Sequence, residues 1–192
     1  MAPKKKFTKE TIISVAFDIA KAEGMDHITI RKVAEHMGSS IAPIYVNFTD
    51  IDELKKEVMN RIHEISQQML MTQYSPDPFL NIGIASLKFA REYRVLFNDM
   101  VMNNNVYLQD VQPPMGTILE QMKQGPELEG FSDQDIMGVL FKMQVFQMGL
   151  SVMDVNGLFP ADVNEEKLIE MMESTGKDII AGVRSRKNGT LK

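Results

Sequence analysis

The sequence predicts an all-α fold of about nine helices arranged in two parts. Apolar residues recur at helical spacing along nearly all of the 192-residue chain. No segment alternates apolar and polar residues as a half-buried strand does, and no Asn-Gly or Asp-Gly hairpin turn joins β-rich segments. Glycines, prolines and capping residues divide this pattern into separate helices.

Local start and stop signals mark the first three helices. A polar side chain at a helix start can accept a hydrogen bond from a free backbone N–H, and glycine commonly ends a helix. These signals are Thr8 and Gly24 for the first helix, Thr29 and Gly38 for the second, and Ser39 or Ser40 at the start of the third. Pro43 suits the first turn of the third helix, where a missing N–H costs little.

The next four helices follow from longer apolar stripes and from the breaks between them. The fourth begins after Thr49-Asp50 and continues to about Met69, before the break at 75–78. Residues 79–92 predict a fifth helix and residues 95–102 a shorter sixth. Gln112-Pro113-Pro114 starts a seventh, which ends before Gly125-Pro126.

The eighth predicted helix has two apolar faces. Ser132 and Asp135 resemble a capping box at its start, and it extends to about Asn156. One face carries Ile136, Val139, Leu140, Met143 and Leu150, and the other carries Phe141, Val145, Met148 and Val152. Such a helix must be covered nearly all round. We expect the second face to meet a second copy of the chain, because symmetric dimers are the commonest assembly; the alternative is a helix buried within one chain.

The ninth helix is predicted to open at Asp162 or Asn164 and to end near Arg184. It adds further apolar and small residues to the expected dimer face, which are Leu168, Met172, Gly176, Ile179, Gly182 and Val183. Small residues allow two helices to approach closely. The sequence therefore predicts a homodimer through helices 8 and 9.

Composition and charge exclude several classes of protein. The chain has no cysteine, which excludes disulfides and thiolate metal sites and is typical of a reducing compartment. The apolar stretch 138–153 looks too short and too polar to span a bilayer, so we expect a cytoplasmic protein without a membrane contact. Residues 1–63 carry a net charge of +1 and the remainder −6. This division permits polyanion binding by the first third.

Residues 29–48 have the layout of a helix-turn-helix, in which the second helix enters the major groove of DNA. Ala34 permits close helix packing, Gly38 takes the turn and Ile44 anchors the second helix. With its extension, the segment ITIRKVAEHMGSSIAPIYVNFTDIDELKKEV resembles the DNA-binding domain of the TetR family of bacterial transcriptional regulators. This similarity covers roughly residues 8–60.

The resemblance implies a DNA-binding domain at residues 1–50 and an effector-binding and dimerisation domain at 51–192. It also implies a homodimer on an inverted-repeat operator in double-stranded DNA, and repression released by a small molecule. The DNA-binding residues it implies are Lys4, Lys5, Lys6, Thr29, Arg31, Ser39, Ser40, Ile41, Ala42, Pro43, Tyr45, Asn47 and Lys55. The alternatives to DNA contacts are an ordinary solvated helix face for Arg31, a packing role for Tyr45 and a disordered tail for the three lysines.

Two departures from the family pattern leave a rival open. Ile51 stands where the family often has a phosphate-binding lysine, and Lys55 is expected to replace it only in part. The third helix is also apolar, so contacts with thymine methyls and DNA shape would carry more of the specificity. The alternative is a TetR-like protein that acts through protein contacts without specific DNA binding.

The chain carries no catalytic motif, and its second part suggests an effector pocket. Three histidines lie without metal-ligand spacing, and no phosphate-binding or dinucleotide motif is present, so we expect no enzyme, metal or cofactor. Flexible methionines and aromatic residues suit a mostly apolar effector; for any single one of them the favoured alternative is ordinary core packing. The predicted wall residues are Phe89, Tyr93, Phe97, Met100, Tyr107, Met143 and Gln147.

Overall fold

The structure is a computed structural model that describes residues 7–102, 115–123 and 125–190. The described ranges hold nine α-helices, two short 3-10 turns and no strand, so the all-α prediction is confirmed. The helices are α1 (Lys9–Glu23), α2 (Ile30–Met37), α3 (Ala42–Asn47), α4 (Ile51–Met71), α5 (Pro78–Glu92), α6 (Arg94–Met102), α7 (Met115–Lys123), α8 (Asp133–Val155) and α9 (Glu165–Lys187).

Predicted side-chain caps hold the starts of α1, α2, α8 and α9. Thr8, Thr29 and Asn164 each accept a hydrogen bond from the backbone N–H three residues on, at 3.0 to 3.2 Å. Ser132 and Asp135 form a reciprocal capping box: the Ser132 N–H donates to the Asp135 carboxylate at 2.9 Å, and the Asp135 N–H donates to the Ser132 hydroxyl at 3.2 Å. These caps satisfy backbone donors that a helix start leaves free.

The start of α3 differs from its prediction. Ile41 precedes the helix, and no side chain caps it. The hydroxyl of Ser39 donates instead to the carbonyl oxygen of Ser40 at 2.9 Å. Pro43 lies three residues after Ser40 and has no N–H, so Ser40 lacks the donor that binds the caps of α1, α2, α8 and α9.

Contacts between helices group the chain into two compact units. Unit 1 contains α1, α2, α3, α4 as far as Gln67, and α6; unit 2 contains the end of α4 with α5, α7, α8 and α9. The chain therefore leaves unit 1 and returns to it. The predicted functional boundary between residues 50 and 51 is not tested by this grouping and stays a prediction.

In unit 1, α1 packs against both α2 and α6. Phe17 of α1 lies edge-on to the Tyr93 ring, with the two centroids 6.1 Å apart. The backbone N–H of Met25, just after α1, donates to the Asp99 carboxylate of α6 at 2.8 Å. The apolar packing and this hydrogen bond together hold α6 on the N-terminal helices.

In unit 2, α8 packs against α5, α7 and α9. Two apolar clusters form the core of unit 2. The first contains Met122, Leu128, Ile136, Val139, Ile180 and Val183, and the second contains Ile84, Leu87, Leu150, Leu168 and Met172. Both clusters join α8 to α9, so these two helices are the centre of the unit.

A network of ion pairs fastens the α8–α9 connection to α5. Arg91 donates two hydrogen bonds to Asp154, at 2.6 and 3.0 Å, and one to Glu165 at 2.6 Å. Lys88 reaches the same glutamate at 2.8 Å. A bidentate arginine–carboxylate pair fixes orientation as well as distance. The end of α8 and the start of α9 are thereby fixed on one helix.

Among the described residues, α8 is long and apolar enough to cross a membrane, judged by length and composition alone. The helix has the length that its capping signals predict, and the stretch 138–153 is only its most apolar part. The central helix of a soluble protein meets the same test, so this is weak evidence for a membrane span.

Candidate nucleic-acid interface

The α2–α3 segment forms the helix-turn-helix that the sequence predicts. Gly38 ends α2 with φ +61° and ψ +40°, a left-handed conformation that glycine adopts without strain. The N–H of Ser39 bonds to the carbonyl oxygen of Ala34 at 3.0 Å, which closes the turn. Ala34 and Ile44 are buried, at 4% and 0% exposure. The predicted roles of these three residues in packing and turning the motif are confirmed.

The opposite side of α3 is open to solvent and apolar. Ile41, Tyr45 and Val46 are 45%, 56% and 83% exposed, and Ala42 beside them is also exposed. The Tyr45 hydroxyl makes no hydrogen bond within the described residues. We call these four residues the α3 face. A helix this short is held by its buried side, so the α3 face is left free for a partner.

The predicted cations of the motif have different surroundings. Arg31 is exposed and has no ion pair or hydrogen bond from its side chain within the part of the chain that the structure describes. Its neighbour Lys32 pairs with Glu23 and holds the pKa of that carboxyl below its ordinary value. Arg31 is therefore available to a phosphate, whereas Lys32 is already neutralised.

The remaining predicted DNA contacts are less open. Asn47 is half-buried and donates to the Pro43 carbonyl oxygen at 2.8 Å, and Thr29 caps α2. The Lys55 side chain is only 14% exposed and lies 4.0 Å from Asp26. Ile51, at the position of the missing lysine, is half-buried. Ser40 is exposed, and Lys4, Lys5 and Lys6 lie outside the described residues.

The predicted effector wall is divided between the two units. Tyr93 and Phe97 are buried within unit 1, at 8% and 9% exposure, and half-buried Met100 belongs to the same unit. Phe89, Met143 and Gln147 belong to unit 2, and Tyr107 lies outside the described residues. The amide of Gln147 donates to the Ser151 hydroxyl at 2.9 Å.

Beside a shallow groove of about 440 Å³ that is largely open to solvent, unit 2 contains two neighbouring cavities that share Asp77, Phe79 and Glu127. One, of about 20 Å³, is lined by Met143 and has room for about one water molecule. The other, of about 310 Å³, is bounded by Met122, Leu128 and Ile180 among others. Of the predicted wall residues, Met143 thus lines a cavity in this unit. The larger cavity was missed because its walls come from separate parts of the chain: the start of α5, the end of α7, a 3-10 turn and Ile180 of α9.

The predicted dimer face of α8 is largely exposed, as its sequence pattern requires, although Val152 at its end is half-buried. Phe141 and Val145 are 67% and 60% exposed, while Ile136 and Val139 on the opposite face are buried. The pattern on α9 does not agree. Leu168, Met172, Gly176 and Val183 are buried within unit 2, because this side of α9 covers the unit's own core. A Cβ on Gly176 would lie 2.9 Å from the Phe79 ring, so this glycine serves packing inside the chain.

Comparison with known proteins identifies other proteins with this arrangement of helices. No protein-family model matches the sequence, and no curated protein matches it closely enough to count. Similar folds occur in a TetR variant from Acinetobacter baumannii AYE solved with minocycline, at 19% identity and a TM-score of 0.57 over 92% of this chain and 96% of that one. A candidate transcriptional regulator from Pseudomonas aeruginosa PAO1 has 17% identity and a TM-score of 0.64, over 93% and 92% of the two chains. A TetR-type regulator from Streptomyces coelicolor has 12% identity and a TM-score of 0.56, over 95% and 97%. This chain has the fold of the TetR-type transcriptional regulators.

Proposed function

We propose that the protein is a cytoplasmic, DNA-binding transcriptional regulator of the TetR type. Two observations carry the proposal together: the exposed α3 face and the unpaired guanidinium of Arg31 at the start of α2. A recognition helix in the major groove needs an uncovered surface, and the DNA backbone needs cations that are not already paired. The two α3 helices of a homodimer would occupy the two halves of an inverted repeat.

The proposed dimer forms through α8, with the exposed side of α9 beside it. Phe141, Val145, Met137 and Met148 lie at helical spacing on one side of α8 and are 38% to 67% exposed. We call these four residues the α8 stripe. A contiguous apolar patch of large side chains marks an interaction surface. A two-fold axis would pair the stripe with the same stripe of the second subunit, so each stripe would cover the other.

We further propose that a small molecule releases the protein from DNA and that its site is the larger cavity of unit 2. The volume of about 310 Å³ lies at the lower end of the usual range for ligand pockets. Phe79, Leu128 and Ile180 offer it apolar walls, and Glu127 offers a carboxylate. These residues favour a compact, mostly apolar effector with one polar or cationic group.

The rival function is protein binding without specific DNA recognition. The half-buried Ile51 and the ion-paired Lys55 leave the start of α4 with fewer phosphate contacts than the family pattern has. An apolar α3 face also suits a protein partner. The two functions differ in a direct test of DNA binding.

Arg31→Ala is expected to weaken binding to every DNA sequence by a similar factor. The probe is the duplex that the wild-type protein selects from a random-sequence library, with a scrambled duplex for comparison. Because Arg31 is expected to bind phosphate, the slope of log affinity against log salt should fall by about one unit per subunit. Gel shifts at several salt concentrations measure both effects.

Lys32→Ala is the matched control, because its ammonium already pairs with Glu23. Its affinity and salt slope should change much less. An Arg31→Ala protein with the wild-type slope would contradict the proposed contact. If the wild-type protein selects no DNA sequence, the proposed DNA-binding function is wrong and the protein-binding rival is favoured.

A mostly apolar effector is expected to raise the melting temperature and to release operator DNA in the same concentration range. A ligand that binds only the folded state stabilises it, and operator and effector must oppose each other reciprocally. Scanning calorimetry and gel shifts with a panel of apolar cations and neutral compounds measure the two effects. Ile180→Phe, which adds bulk to the cavity wall, should remove both effects while operator binding persists. Compounds that act equally on this variant bind elsewhere.

A further inference from the structure

The α3 face offers almost no group that can form a hydrogen bond with a base. Ile41, Ala42 and Val46 are apolar throughout, and the Tyr45 hydroxyl is the face's one polar side-chain atom. Two nearby polar side chains already form hydrogen bonds. The Asn47 amide donates to the Pro43 carbonyl oxygen, and the Ser39 hydroxyl donates to the Ser40 carbonyl oxygen. This surface therefore lacks the side chains that form the paired hydrogen bonds by which guanine or adenine is identified.

One feature of the major groove matches an apolar surface. Thymine carries a methyl group on carbon 5, while the other base edges present hydrogen-bond donors and acceptors. Val46 is 83% exposed and Ile41 45% exposed, so both have a large apolar area to bury. The free cation of Arg31 and the exposed hydroxyls of Ser40 and Tyr45 suit phosphates. An apolar centre with such polar neighbours is complementary to DNA.

We propose that Val46 and Ile41 determine the sequence specificity of this protein by contacting thymine methyl groups. The inference rests on the proposed function and adds to it the chemistry that the operator must present. The sequence predicts an apolar third helix, to which Val46 contributes, but does not assign a DNA contact to Val46; its exposure does so. Ala42 lies one turn before Val46 on the same side of the helix and leaves space for the groove wall.

The two side chains should reach separate methyl groups. Ile41 immediately precedes α3 with a helical backbone conformation, and Val46 lies five residues on. Five residues turn through about 500°, so the two side chains leave the helix about 140° apart around its axis. Each half of the operator should therefore contain two distinct methyl-dependent positions, one for each side chain.

The test replaces thymines in the selected operator by deoxyuridine, one symmetric pair of positions at a time. Deoxyuridine lacks the methyl group and keeps every hydrogen-bonding atom of thymine. Loss of one buried methyl from each half-site is expected to weaken dimer binding roughly tenfold to twentyfold, on the scale of burying one carbon group twice. Thymines outside the contacted positions should show no change.

Val46→Ala should remove the deoxyuridine effect at one position and keep it at the other, and Ile41→Ala should show the converse. Thermal melting establishes that each variant is folded, which we expect because both side chains are exposed. Wild-type protein that binds its operator but ignores every deoxyuridine would overturn the methyl contacts and leave the proposed function intact. Full sensitivity at every position in Val46→Ala would overturn the role of Val46. Absence of any selected operator would remove the proposed function itself, and this inference with it.

Discussion

Val145→Glu is expected to give monomers that no longer bind the operator tightly. Val145 lies in the α8 stripe and is 60% exposed in the single chain. In the proposed dimer the new carboxylate would be buried against an apolar surface without a partner, which costs several kcal/mol. The two-fold axis places two such charges in one interface. Light scattering gives the mass, and gel shifts give the loss of operator affinity.

Met71→Glu is the matched control for this charge. Met71 is 68% exposed, at the end of α4 and outside the α8 stripe. This variant should stay dimeric and bind operator as the wild type does. Circular dichroism should show both variants helical, since neither position is buried within the chain. A dimeric Val145→Glu protein would exclude the α8 stripe as the interface, and a monomeric Met71→Glu protein would point to the end of α4.

Ile44→Ala is expected to destabilise the helix-turn-helix and abolish DNA binding. Ile44 is 0% exposed and is the one buried residue of the six-residue helix α3. Removing a fully buried isoleucine side chain typically costs about 2–5 kcal/mol, and a helix this short cannot form without its packing. The dimer should persist, because the α8 stripe belongs to unit 2. Urea unfolding measures the free-energy loss.

Val46→Ala is the control on the same helix. Its side chain is 83% exposed, so the free energy of unfolding should change by about 0.5 kcal/mol or less. Hydrogen exchange gives a local measure, since the Phe48 N–H bonds to the Ile44 carbonyl oxygen at 2.9 Å and should lose protection only in Ile44→Ala. An unchanged unfolding curve for Ile44→Ala would contradict the role of this residue as the anchor of α3.

Short-range signals made the helix boundaries predictable. Thr29, Ser132 and Asn164 cap helices through backbone groups three residues away, so the sequence contains both partners of each hydrogen bond. Gly38 marks the turn because few other residues adopt its left-handed conformation. The α3 start is the exception: Pro43 removes the donor three residues after Ser40, and the Ser39 hydroxyl donates to the Ser40 carbonyl oxygen.

Long-range packing was less predictable. Periodicity shows that Tyr93 and Phe97 lie on an apolar face, and it does not show which helix covers that face. In the structure Tyr93 meets Phe17 of α1, and both Tyr93 and Phe97 are buried residues of unit 1. The same limit applies to Gly176 on α9, whose small size serves the Phe79 ring of its own chain. An apolar stripe alone cannot distinguish a neighbour in the chain from a second copy.

The return of the chain to unit 1 has a consequence for the protein's synthesis. Met25 and its partner Asp99 are 74 residues apart in sequence. At the usual speed of translation, the ribosome needs about 4 to 15 seconds to add that length. During this interval the nascent α1 has left the exit tunnel with the side that packs against α6 still uncovered. Unit 1 therefore completes its folding only after α5 has been made, and a nascent chain stalled before Tyr93 would present the apolar side of α1 to chaperones.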